Sequence, residues 1–343
     1  MRSFASDNNS GISNEIIDAI IKTNVDHAVG YGDDKWSREA EALINKTFGG
    51  NADVLFTFNG TGSNCVALQL CTKSYGLILC ASTGHIVVDE CGAPTRMTGC
   101  QITTIPTPDG KLTPALIEPH LIGFGEQHHS QPQAIYISEC SELGTIYTPD
   151  ELKALTAFAH KYNMYVHMDG ARLANACAAL GVGLRELTYD CGIDVLSFGG
   201  TKNGLLLGEC VVVFNDSMKP YAKFIRKQSA QLASKQRFLA CQFTAYLEND
   251  LWLRNARHAN DMAAMLHDEL AKIPQITFTQ KAESNQLFLT MPLEASKELH
   301  KQFEFFYWNE SKGEIRFVTS FDTTKEDIDK LVAAIKSTLG HCK

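Results

Sequence analysis

Residues 194–204 read DVLSFGGTKNG. The first half is a short apolar run of the kind that forms a buried strand, and the second half turns on two glycines and presents a single lysine, Lys202. A lysine in a loop is most often solvated. One held at the end of a buried strand is desolvated, which favours the neutral amine and makes it a nucleophile for carbonyl groups. Ser197 and Thr201 add hydroxyls on either side, donors suited to a phosphate.

Upstream the same rhythm repeats. VLFTF (54–58), HIVVDE (85–90), AIYISE (134–139) and MYVHMD (164–169) are short apolar runs read as strands, separated by stretches of helical pattern. Residues 13–24 place Ile16, Ile17, Ile20 and Ile21 on one helical face with Ser13 as cap, and Thr148, Pro149 and Glu151 form a capping box. Strand and helix in alternation predict an α/β fold built on a large, mostly parallel sheet. Residues 219–272 read as long helices. Beyond them QLFLTM, EIRFVTSF and a helix capped by Thr323 and Glu326 predict a small C-terminal α+β domain. The expected units are 1–250, with an N-terminal arm at 1–12, and 251–343, a long helix near 245–275 bridging them.

Composition narrows the function. A net charge of −8 with no basic run argues against nucleic acid and anionic membrane as partners. The 11 cysteines sit singly, without a C-x-x-C pair, and read as reduced thiols of a cytoplasmic protein. The N-terminus lacks the apolar core of a signal peptide, and no apolar run is long enough to cross a membrane. His128 and His129, adjacent in a polar loop, read as solvated rather than as metal ligands, and no metal cluster is visible.

Two more stretches at strand ends carry chemistry. In FNGTGSN (58–64), Gly60 and Gly62 let the backbone approach an anion, and the helix that follows offers unpaired N–H groups. Taken alone, a plain structural turn is the commoner explanation. In HMDGAR (167–172), Asp169 is either a helix cap or a carboxylate under a heteroaromatic ring, and Arg172 is either its surface partner or a fork for a carboxylate. With Lys202 these features supply what pyridoxal 5′-phosphate (PLP) needs: a phosphate cradle, a carboxylate for the ring nitrogen and an amine for the aldehyde.

The stretches SDN (6–8), GYGDD (30–34), NGTGSN, GHIVVDECGAP (84–94), HMDGAR and TKNG together resemble the threonine aldolase family, in the β-eliminating-lyase branch of fold-type I PLP enzymes. The resemblance runs almost end to end and implies the aspartate-aminotransferase fold, with Lys202 carrying PLP as a Schiff base. It further implies that Asp169 holds the pyridine nitrogen, that His85 stacks on the ring with Glu90 orienting it, and that Gly60, Thr61 and Gly62 cradle the phosphate. Ser6, Arg172 and Arg316 are the implied carboxylate ligands. Tyr31 is expected near the site from a neighbouring subunit, in a homodimer or homotetramer with shared sites. Relatives carry a histidine where ECSELG (139–144) places Glu142, so the base acting on the substrate's β-hydroxyl is His85, Glu142 or a water they hold. The stretch AQLASKQRF (230–238) replaces a glycine-rich, arginine-bearing segment, leaving Lys227, Lys235 and Arg237 as candidates for phosphate contact across the interface. The implied reaction is retro-aldol cleavage of a β-hydroxy-α-amino acid (L-threonine, L-allo-threonine or phenylserine) to glycine and an aldehyde. The alternative is β-elimination of an aromatic or thiol leaving group.

Overall fold

Seven strands form the main sheet: β1 (Asp53–Thr57), β2 (Gly76–Ala81), β3 (Gln101–Ile105), β4 (Gln131–Ser138), β5 (Tyr165–Gly170), β6 (Val195–Gly199) and β7 (Glu209–Val213). Their order in the sheet is β1-β7-β6-β5-β4-β2-β3. Every pairing is parallel except the two that β7 makes, with β6 and with β1. Antiparallel neighbours need no crossover, so a short connection joins β6 to β7, and Lys202 sits in it. The computed structural model describes residues 2–341; Met1, Cys342 and Lys343, at the outer ends of the two expected units, lie outside it.

The central strands read as continuous apolar runs because both faces are covered. Side chains alternate, so Ile135, Ile137, Val166, Met168 and Leu196 enter one core, whereas Ala134, Tyr136 and Val195 enter another with Val66 and Ala67 of the helix Gly60–Cys71. That second face carries the polar residues described below.

A second, antiparallel sheet is made of β8 (Thr277–Phe278), β9 (Gln286–Thr290), β10 (Phe306–Asn309) and β11 (Glu314–Val318), in the order β10-β11-β9-β8. The helix Leu251–Leu270 gives Leu251, Trp252 and Ala256 to the main core and Met262, Leu266 and Leu270 to the second. The N-terminal arm, counted with the large unit in the sequence reading, packs Phe4 into the second core and pairs its backbone with Val318 and Glu304.

Three local readings change. HIVVDE is not a strand: His85–Val88 is a single helical turn after Gly84, and the neighbouring place in the sheet is filled by Gly76–Ala81. A strand there would have to bury alternate residues, yet Val87 and Val88 are both exposed. Ser13 precedes the helix Asn14–Thr23 but makes no side-chain cap; its hydroxyl accepts from Asn255 instead. The final helix is capped one residue later than its pattern suggests, by Thr324 with Asp327, because the Thr323 hydroxyl is engaged by the Ser320 amide. The Thr148–Glu151 capping box forms as read. Among the described residues no helix is long and apolar enough to cross a membrane.

Candidate active site

Strand register assembles the site. Ser138 of β4 is level with Asp169 of β5, and Asp169 with Ser197 of β6. Two residues back, Tyr136 is level with His167, so Tyr136, Ser138, His167, Asp169 and Ser197 share one face near the carboxyl ends of the strands.

Asn64, on the helix Gly60–Cys71 that covers this face, ties the polar residues together. Burial pushes the His167 imidazole down to about 4, so it is neutral, and its Nε2 lies 3.0 Å from Asn64 Oδ1. The two carboxylates fix the amide: Asn64 Nδ2 donates to both Glu90 Oε1 and Asp169 Oδ2, each at 2.8 Å, which leaves Oδ1 to accept from His167 Nε2. Glu90 in turn meets His85 Nδ1 at 2.8 Å, and this bond raises the imidazole above its ordinary value against the pull of burial. Asp169 also accepts from Tyr136 Oη at 2.9 Å and, through Oδ1, from the Ala171 amide at 3.0 Å. The positive charges of His85 and Lys202 help hold its carboxyl below the usual range although burial opposes this. His85, Glu90 and Asp169 bring ligand-type atoms within 4.8 Å of one another. Asn64 points N–H groups at both carboxylates, an arrangement that suits a hydrogen-bonded ring and not a cation between them.

Lys202 lines the same cavity, whose volume is about 370 Å³, with Gly60, Thr61, His85, Asp169, Ser197 and Thr201. Burial and the nearby Arg172 lower its ammonium below the ordinary lysine value, while Asp7, Asp169 and Glu209 resist. An amine whose proton is held less tightly than usual, beside a carboxyl held below its usual range, can serve as a nucleophile for a carbonyl group.

The chain matches the β-eliminating lyase family model over residues 3–292. The chain belongs to this family. It is 40% identical over 337 residues to a low specificity L-threonine aldolase of Pseudomonas sp. (strain NCIMB 10558), covering 98% of this chain and 97% of that one. A solved threonine aldolase from Leishmania major superposes with a TM-score of 0.93 at 31% identity, covering 98% of this chain and 99% of the other. A structure of Oryza sativa TDC with PLP and tryptamine shares the fold at 14% identity and a TM-score of 0.79, covering 99% of this chain and 84% of that one. The fold is therefore that of the fold-type I PLP-dependent enzymes, and the family implies PLP as cofactor.

The cavity of this β-eliminating-lyase member fits that group. Ser197 Oγ is buried on its wall without a hydrogen-bond partner, next to Thr201 and to the first turn of the helix at Gly60 and Thr61. Asn59 caps the amide of Gly62 at 2.8 Å, and a Cβ at Gly62 would meet the end of the Gln231 side chain. A larger residue there would displace Gln231, and the Gly62 amide is already engaged.

Arg172 does not present an open fork. Its Nε and Nη2 hold Asp7 at 2.7 and 2.8 Å, and Asn285 donates to the same carboxylate at 3.0 Å. Arg316 reaches the Ala5 carbonyl at 3.2 Å and leaves its Nε unpartnered; burial and the nearby Arg172 bring it down to about 10. Of the SDN stretch, Asn8 lines the cavity and Asp7 holds Arg172, while the Ser6 hydroxyl accepts from the Asn8 amide and lines a separate polar pocket with Arg2 and Lys330. Tyr31 and Lys227 pair with each other at 5.3 Å on the surface, and Arg237 is engaged by the carbonyls of Val25 and Asp26. None of Tyr31, Lys227, Lys235 and Arg237 lines the cavity of its own chain. His128 and His129 are exposed.

Glu209 is a wall residue that sequence reading missed. It begins β7, accepts from the Gly200 amide at 2.8 Å beside Lys202, and burial pushes it up to about 7. The stability this carboxyl contributes is complete below the ordinary value of 4.5 and is lost as the pH rises through about 7. Glu209→Gln keeps an acceptor for Gly200 and never ionises. The parent chain is expected to lose about 2 kcal/mol more than the variant between about pH 5 and pH 7. Thermal unfolding across that range checks this, and parallel Tm slopes would refute it.

Proposed function

We propose that the chain is a PLP-dependent aldolase that cleaves a β-hydroxy-α-amino acid of the L-threonine type to glycine and an aldehyde. The observation that carries the reading is the placement of Lys202 and Asp169 on one cavity wall, in a chain similar over its whole length to a low specificity L-threonine aldolase. PLP, when bound, supplies the electron sink that lets the bond between the α- and β-carbons break. Lys202 would hold its aldehyde, and Asp169, kept ionised, would keep the ring nitrogen protonated. Ser197, Thr201 and the amides of Gly60 and Thr61 would take the phosphate, and His85 would lie against the ring.

The chain's own residues divide the remaining work. Arg172 and Arg316 form a pair of like charges that a substrate carboxylate would relieve, with Asp7 fixing the orientation of Arg172. Glu142 faces the cavity, and burial raises its carboxyl above the ordinary range. Such a group can take the β-hydroxyl proton and hold it.

Exposed Ile17, Ile21, Val25, Val29, Tyr31 and Phe224 form apolar surface that supports a homodimer or homotetramer, in which the Tyr31–Lys227 pair would reach a neighbour's cavity. The ten cysteines among the described residues are all unpaired, which supports a reducing, cytoplasmic setting. The test is direct: incubate the coloured protein with L-threonine, L-allo-threonine and L-phenylserine and measure products. Glycine and aldehyde in equal amounts are expected; pyruvate and ammonia would assign β-elimination instead.

A further inference from the structure

A run of hydroxyls joins the two carboxylates that matter most in the cavity. Glu142 Oε1 lies 2.6 Å from Ser138 Oγ, Ser138 Oγ lies 3.1 Å from Tyr136 Oη, and Tyr136 Oη lies 2.9 Å from Asp169 Oδ2. Tyr136 and Ser138 stand two apart on β4, and this spacing turns both to the covered face.

The protons can be counted. Each hydroxyl has one hydrogen to give. Tyr136 gives its hydrogen to the ionised Asp169, so its oxygen is left to receive from Ser138. Ser138 then has nothing to give Glu142, and their contact is a hydrogen bond only if Glu142 is a neutral acid donating to Ser138. When Glu142 is ionised, Ser138 turns its hydrogen back to Glu142, and the Tyr136 oxygen loses its donor. The chain therefore has two arrangements, distinguished by the direction of one hydroxyl.

The geometry points to Ser138 and Tyr136 as positioning residues that couple the protonation of Glu142 to the charge on Asp169. The inference rests on the proposed reading of the cavity as a PLP site. Within that reading, the proton Glu142 gains comes from the substrate hydroxyl. Ser138 and Tyr136 keep their own hydrogens throughout, and nothing is transferred to Asp169. The other groups facing Glu142 are His85, Glu90, Lys202 and Arg172 on the cavity wall, the His85 amide, which donates to the same Oε1 at 2.7 Å in both arrangements, and Cys80 and Tyr147 behind it.

The coupling makes a prediction that simple loosening of the site does not. Tyr136→Phe removes the alternative acceptor for Ser138, whose hydroxyl then stabilises the Glu142 anion, so the Glu142 midpoint should fall by about one pH unit. Ser138→Ala removes a donor to that anion, so the midpoint should rise by about one unit. The measurement is pH-difference infrared spectroscopy of the PLP-loaded protein, following the carboxylic-acid band that disappears in Glu142→Gln. The visible absorbance of the bound cofactor is recorded on the same samples. Opposite shifts in the two variants are expected. A coloured protein whose two midpoints stay fixed or move together, or which has no band lost in Glu142→Gln, overturns the inference alone. A colourless protein overturns the cofactor reading and the inference with it.

Discussion

Lys202→Ala protein is expected to be colourless after PLP is added and dialysed away, and to release aldehyde from L-threonine at least about a thousandfold more slowly than the parent chain. The amine is held in a short connection between two hydrogen-bonded strands. The substitution therefore removes the reactive group without removing a support of the fold. It also removes the positive charge that Asp7, Asp169 and Glu209 share, so the Glu209 carboxyl should be held higher still and the loss of stability described for it should extend to higher pH in the variant. Far-UV circular dichroism establishes folding, the visible spectrum reports cofactor retention, and coupled aldehyde reduction gives the rate. A yellow, active Lys202→Ala protein would remove the central assignment.

Asp169→Asn is the second large expected effect. Asp169 uses both oxygens: one accepts from Ala171, the other from Asn64 and Tyr136. An asparagine has one acceptor oxygen, so it must turn its NH₂ toward either a backbone amide or a pair of donors. Whichever way it turns, the charge that keeps a ring nitrogen protonated is gone. A loss in kcat of about a hundredfold to ten-thousandfold is expected, with retention of colour because Lys202 is untouched. Steady-state kinetics with the spectrum in parallel checks it, and a kcat within about threefold of the parent would show that Asp169 does not serve the ring.

Much of this arrangement was legible in the sequence because it is written locally. Lys202 stands out through its glycine and hydroxyl neighbours, Asp169 by following an apolar strand, and the Thr148 helix start by its cap. The groups that went unread are defined by tertiary structure. Tyr136 and Ser138 appear in AIYISE only as members of a strand, and their shared face acquires meaning once β4 is set beside β5. Asn64 lies within a helix whose amphipathic signal is weak because most of that helix is buried. Asp7 and Arg172 pair across 165 residues of chain, a distance at which no spacing rule operates. Glu209 is a carboxylate heading an apolar run, and only the antiparallel return of β7 brings it beside Lys202. HIVVDE shows the converse failure, since a short apolar stretch does not reveal whether the sheet has a place left for it.

The sheet order also bears on when the site can exist during synthesis. β1, which ends at the Gly60 turn proposed to hold the phosphate, has β7 as its neighbour in the sheet, and β7 is made after Lys202. A nascent chain that has emerged as far as β6 contains β2 to β6 but not β7, so β1 still lacks its neighbour in the sheet. The Gly60 turn and Lys202 can be joined through the sheet only after β7 has been made, late in translation.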